Sequence, residues 1–111
     1  MMKKEHIDQM VRGWLVGPFQ PSVFYSEHVE VAVKHYVTGD YEPAHYHKIS
    51  TEITMIITGN VMMNGNNYRS GDIVTILPEE ITDFNVLENT TTLVVKLPAV
   101  KNDKYSAEVI V

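Results

Sequence analysis

The 111-residue chain contains no cysteine. That absence removes disulfides, zinc–thiolate sites and thiol nucleophiles together. It fits a reducing compartment, and the cytoplasm is the expected location. Long apolar runs are missing too: none approaches the roughly 18 residues that a membrane-spanning helix needs. The N-terminal "MMKKEHIDQMVRGW" carries basic residues with no apolar stretch after them, so no secretory signal is expected. The Asn89–Thr90–Thr91 triplet, formally a glycosylation acceptor, then reads as a polar turn. Basic residues are few, 9 Lys and Arg against 14 Asp and Glu, for a net charge of -5. A chain of that sign repels phosphate backbones, which argues against nucleic acid as a partner. There is no Gly-x-Ser-x-Gly, no phosphate loop and no dinucleotide fingerprint. Ser50 beside two histidines does not make a triad.

What is present suits one globular domain. Hydrophobic residues make up 44% and charged residues 21%, and the length is too short for two good cores. Ile7, Met10 and Val11 suggest a short helix over residues 4 to 12, stopped by Gly13. Pro18 and Pro21 then give an extended arm bearing Trp14, Phe19 and Phe24. That much aromatic surface is expected to pack on something, with Trp14 as the anchor.

From residue 28 the pattern has period two. In "HVEVAVKHYV", Val29, Val31 and Val33 alternate with Glu30, Ala32 and Lys34. "EITMIITG" is rich in β-branched residues and is expected to end at Gly59. "NVMMNGNNYRSGD" reads as strand, turn, strand, because Asn64 and Gly65 both tolerate positive φ. "IVTIL" stops at Pro78, "FNVLE" is short, and "TTTLVVKLP" is the last clear strand. The tail from Ala99 reads as a terminal strand or as a segment docked on a partner. Many short strands punctuated by Gly, Pro and Asn predict an all-β antiparallel barrel or sandwich. Residues 1–28 form the expected N-terminal arm, packing on the barrel or a partner, and 29–111 the barrel domain. Ile53, Met55 and Ile57 lie on the face of their strand opposite Glu52. A strand apolar on both faces must be covered on both, so a homodimer is expected.

The chemistry centres on "HYHKISTE". In a strand, His45 and His47 share a face, and Glu52 can return to it after a turn at Lys48 to Thr51. Two imidazoles and a carboxylate make a mixed N/O site for a divalent metal, with iron, manganese, nickel, zinc and copper all compatible. Three protein ligands leave positions for water or substrate. Taken alone, the same residues also read as two solvated histidines and a capping-box-like Ser50–Thr51–Glu52. Lys34 and Tyr36 share one face late in their strand, with His35 on the other. Either set could supply an acid or base at a pocket mouth. Lys96, if inward, would want a carboxylate or a substrate anion. Arg69 reads as a solvated charge. Met55, Met62 and Met63 read as core or interface filler rather than copper ligands.

"GDYEPAHYHKISTEITMIITG", with Gly39, Pro43, His45, His47, Glu52 and Gly59 at its spacing, resembles the first motif of the cupin superfamily. "GDIVTILPEEITDF" looks like the start of the second motif, and the resemblance runs from about residue 29 to 97. It implies a small cupin barrel of double-stranded β-helix, jelly-roll type, with a metal held by His45, His47 and Glu52. The superfamily includes dioxygenases, isomerases, epimerases, decarboxylases, binding modules and storage proteins. The chain departs from the family in one respect. The second motif should supply a fourth ligand, a histidine, and no histidine lies beyond His47. Counting from Gly71 reaches Thr82, and counting from Pro78 reaches Asp83, the candidate fourth ligand. Two functions follow as expectations. One is a metal-dependent cupin that transforms a small carbohydrate-like or carboxylate-bearing metabolite by isomerase, epimerase or oxygenase chemistry, with Lys34, Tyr36 and Asp83 as catalytic candidates. The other is a binding or regulatory cupin that turns nothing over.

Overall fold

A computed structural model describes residues 1–107. Residues 108–111, the apolar end of the tail, lie outside it. Among the described residues nine strands form one sheet that wraps on itself: β1 (Trp14–Gly17), β2 (Phe24–Tyr25), β3 (Glu30–Tyr36), β4 (Tyr41–Tyr46), β5 (Thr51–Met63), β6 (Asn66–Arg69), β7 (Ile73–Ile76), β8 (Thr82–Leu97) and β9 (Tyr105–Ser106). Every pairing is antiparallel except the short β1–β2 contact. The antiparallel all-β architecture is therefore as the sequence predicts. No helix among the described residues is long and apolar enough to cross a membrane.

The order of strands follows from two long ones. β8 pairs with β3 and β4 along one edge and with β5 along the other. β5 in turn carries β6 and β7. The sequence divided each of these long strands in two. "FNVLE" and "TTTLVVKLP" are one 16-residue strand. No Gly or Pro interrupts them, so the Asn89–Thr90–Thr91 stretch is strand rather than turn. Gly59 likewise bends β5 without ending it. Its φ of 111° and its close approach to Thr90 both exclude a Cβ. The β5–β8 register shifts there, and the Thr90 hydroxyl accepts the freed Asn60 N–H at 3.2 Å.

The Asn64–Gly65 turn joins β5 to β6, with φ of 50° and 78° and Met63 facing Asn66. Both central residues at positive φ is the turn that a twisted hairpin prefers. The expected helix shrinks to a single 3-10 turn, Ile7–Gln9, capped reciprocally by His6 and Gln9. So short a segment gains too few hydrogen bonds to propagate, and the chain reverses at Arg12 and Gly13, both at positive φ.

The interior has two apolar clusters. Ile56, Val61, Met63, Ile76, Phe84 and Val86 form the larger. Ile56, Val61 and Val86 are almost completely buried, each worth roughly 1.5–3 kcal/mol of transfer free energy. Trp14, Ala32 and Val94 form the smaller, with Phe19 stacked on Trp14 at 5.5 Å. The arm thus joins the sheet through β1 beside β3 and sends its tryptophan inward, while Phe24 stays exposed.

Candidate functional site

Between the two clusters lies a cavity of about 560 Å³. Its wall is the inner face of β3, β8 and β5. Register sets the rows on that wall. Glu30, Lys96 and Glu52 are cross-strand neighbours in one row, Ala32, Val94 and Thr54 in the next, and Lys34, Thr92 and Ile56 in the third. Val31, Val33 and His35 of β3 alternate to the outer face, so Glu30, Lys34 and Tyr36 are its inward polar members. Lys34 and Tyr36 both line the cavity. His35 leaves it and lies 2.9 Å from the Thr91 hydroxyl.

His45 ends β4's inward run, and His47 follows just past the strand. Both are buried, at 7% and 5% exposure, so neither is a solvated edge histidine. Their rings meet edge to face, with centroids 5.9 Å apart. His45 Nδ1–H donates to the Pro43 carbonyl at 2.9 Å. That bond fixes the tautomer and leaves Nε2 with its lone pair, the usual outer support of a metal-binding histidine. Burial, then the charges of Lys96 and His45, push the His47 pKa down to about 4, so its imidazole is neutral at pH 7. Glu52 lines the same cavity, and its Oε2 accepts from the Thr54 hydroxyl at 3.1 Å.

The loop that carries His47 is held from the C-terminal segment. The buried Asp103 accepts the backbone N–H groups of Lys48, Ile49 and Ser50 at 3.0, 3.1 and 2.9 Å. Burial alone would raise its carboxyl. The three N–H bonds overcome that and hold it below its usual value. β9 then closes the site by pairing Ser106 with His45.

Thr82 and Phe84 face inward on β8 and are buried, and Thr82 is the register partner of His45. Asp83, between them, also lines the cavity. Its Oδ1 accepts the Asn64 N–H at 2.8 Å, which ties it to the β5–β6 turn.

The donor set has the chemistry a divalent metal needs: two buried imidazoles, one of them oriented by a backbone carbonyl, and one carboxylate. It is not drawn together. Among the described residues no three His, Asp or Glu side chains stand close enough to share one ion.

Two groups of the site escaped the sequence reading. Glu30 is buried and pairs with Lys96 at 3.7 Å. Burial raises its carboxyl against the opposing pull of Lys96. Glu30 was visible as a charge inside a valine run, yet alternation cannot say which face is inside. Asp103 had no local signal, because its partners are more than 50 positions away.

No family model and no curated protein matches the chain by sequence. Solved structures do match it in shape. An uncharacterised Klebsiella pneumoniae protein with a double-stranded beta-helix domain is similar over 76% of this chain and 74% of its own, at 21% identity and a TM-score of 0.67. The polyketide cyclase RemF from Streptomyces resistomycificus is similar over 99% of this chain and 88% of its own, at 15% identity and a TM-score of 0.74. The DMSP lyase DddQ from Ruegeria pomeroyi is similar over 85% of this chain, at 20% identity and a TM-score of 0.70, and the chain spans about half its length, 49%. With the wrapped antiparallel sheet and the inward histidine pair, these likenesses make the chain a small protein of the cupin, or double-stranded β-helix, fold.

Proposed function

We propose that the cavity binds a small polar metabolite at a divalent metal, iron, manganese, nickel or zinc, held by His45, His47 and Glu52, and transforms it by proton transfer. One observation carries this reading. Two buried imidazoles, His45 oriented through Pro43 and His47 held neutral by burial, open onto a cavity that also holds Tyr36, Lys34 and Lys96. When bound, the metal would polarise a carbonyl or hydroxyl of the metabolite. Burial, then the charges of Glu42 and Glu52, raise the Tyr36 pKa and keep its phenol protonated as a donor. Burial lowers Lys34, which brings its amine closer to the range of a base. Asp83 stays outside the set, engaged by Asn64.

A non-catalytic binding role is the second reading, favoured by the dispersed donors and the bond between Glu52 and Thr54. Metal analysis of tag-free protein beside His45→Ala and His47→Ala tests the site. A near-stoichiometric metal lost in both variants is expected, and metal content unchanged in both would sink the proposal. Tyr36→Phe then separates the two readings, since turnover should fall well beyond any loss of binding only if the cavity is catalytic.

The same reading includes a homodimer. On the outer face, Val33, Leu93, Met55 and Ile73 stand side by side across four strands, next to Val31, Val95 and Ile53. Ile57, Ile73 and Leu97 of this region are exposed. A contiguous uncharged patch of this kind suits a second copy. Light scattering should show a dimer for the native chain and a monomer for Met55→Glu.

A further inference from the structure

We propose that Lys34, Tyr36 and Thr92 form a carboxylate-binding subsite on the cavity wall, beside the Trp14 ring. The subsite deepens the reading of the cavity as a small-molecule site and does not depend on the metal. Lys34 and Thr92 are register partners on β3 and β8, and Tyr36 follows on the same face of β3. All three line the cavity.

Lys34 and Thr92 each have hydrogen-bonding capacity that the described residues do not fill. Thr92 is 1% exposed, yet its Oγ1 has no hydrogen-bond partner among them. The Tyr36 phenol interacts with the Thr92 hydroxyl, but not in a geometry that satisfies it as a hydrogen-bond partner. Buried polar atoms are nearly always paired, so a lone hydroxyl on a cavity wall points to a ligand. The Lys34 ammonium has three donors. One makes a long bond to the Arg12 carbonyl at 3.4 Å, and the charge lies 5.0 Å from the centre of the Trp14 ring. Among the described residues it makes no ion pair. Glu42 and Glu52 act on it from the acidic side, Arg12 and Lys104 from the basic side. Lys96, by contrast, has Glu30.

The three groups offer an ammonium and two hydroxyls to one place. A carboxylate answers all three at once, since it accepts only and has about four lone-pair sites. It also neutralises the lysine in a poorly hydrated setting, where bonds to an ion are the stronger kind. A sugar hydroxyl would leave the ammonium uncompensated. The inward histidines across the cavity then face whatever the carboxylate anchors.

Trp14 is the only tryptophan, so its fluorescence reports directly on this place. The full chain, treated with chelator, is titrated with malonate and with its uncharged analogue malonamide at constant ionic strength. Saturable change with malonate and none with malonamide is expected. Lys34→Gln should weaken the malonate midpoint by about tenfold or more, and Thr92→Val by about threefold, in line with loss of a charged and a neutral hydrogen bond. Thr92→Val has a second signature. Removing an unpaired buried hydroxyl should raise Tm while binding falls, the reverse of what a structural hydrogen bond would give. Equal response to malonate and malonamide overturns the subsite. So does a native midpoint in Thr92→Val, which keeps side-chain shape and decides the matter if Lys34→Gln folds poorly. Metal content measured on untreated samples keeps the two proposals apart. A malonate response in a chain without metal removes the metal reading alone, and bound metal without a malonate response removes the subsite alone.

Discussion

The two halves of the interior are built from the same pair of strands, yet they differ in kind. Where β5 and β8 carry Ile56, Val61 and Val86, the inner face is closed and apolar, with Phe84 at its border with the cavity. Where they carry Glu52, Thr54, Thr92 and Lys96, it opens on the cavity. On β8 the irregularity at Thr90 lies between the two stretches, whereas on β5 the bend at Gly59 falls within the apolar one. One half is filled by side chains that want no partner. The other leaves charges and hydroxyls that are only partly answered, at a cost the first half offsets. Chemistry and stability are thus separated along the strand rather than between domains.

The largest test of that division is Phe84→Ala. It should lose about 3–5 kcal/mol by leaving a cavity in the closed half, read by denaturant unfolding of metal-free protein. Glu30→Gln comes next. Stranding Lys96 beside a neutral amide should cost about 3 kcal/mol, whereas Glu30→Leu with Lys96→Met should cost clearly less than the two single changes added. Strict additivity there would mean that the pair is not coupled and the polar half is less demanding than described.

Acid provides the third test. His47 titrates near 4 in the folded chain and near 6.5 when unfolded. Between those values the unfolded chain binds the additional proton. Stability is therefore full above about pH 6.5 and declines as pH falls toward 4, by on the order of 2–3 kcal/mol. His47→Gln in chelator-treated protein should flatten that slope, and an unchanged slope would assign it elsewhere. Asp103→Ala, which removes the acceptor for three backbone N–H groups, should cost about 1–3 kcal/mol and speed amide exchange at Lys48 to Ser50. The smallest effect belongs to Asp83→Asn. Its carboxylate serves a turn that an amide oxygen can also serve, so stability should change by less than about 0.5 kcal/mol and metal content should not change.

Much of this was legible because short-range chemistry dictated it. The Asn64–Gly65 hairpin needs two residues at positive φ, and the chain supplies them side by side. The spacing of His45 and His47 needs only the period of a strand. Strand ends were harder to read. Gly59 looks like a stop when taken locally, and only its contact with Thr90 shows why the strand continues through it. The same holds for Thr82 and Asp83, which are adjacent in sequence and differ in which of them the pairing with β4 buries.

Residue order alone settled the all-β class, the histidine pair and the glycines that frame it, since each depends on contacts within a few positions. Folding decided that Glu30, Lys34 and Tyr36 of β3 face in and its valines out, that Glu30 finds Lys96, and that Asp103 holds the loop behind His47. Those outcomes rest on cross-strand register and on partners far apart in the chain. A period-two pattern is symmetric between its two faces until another strand is laid against it.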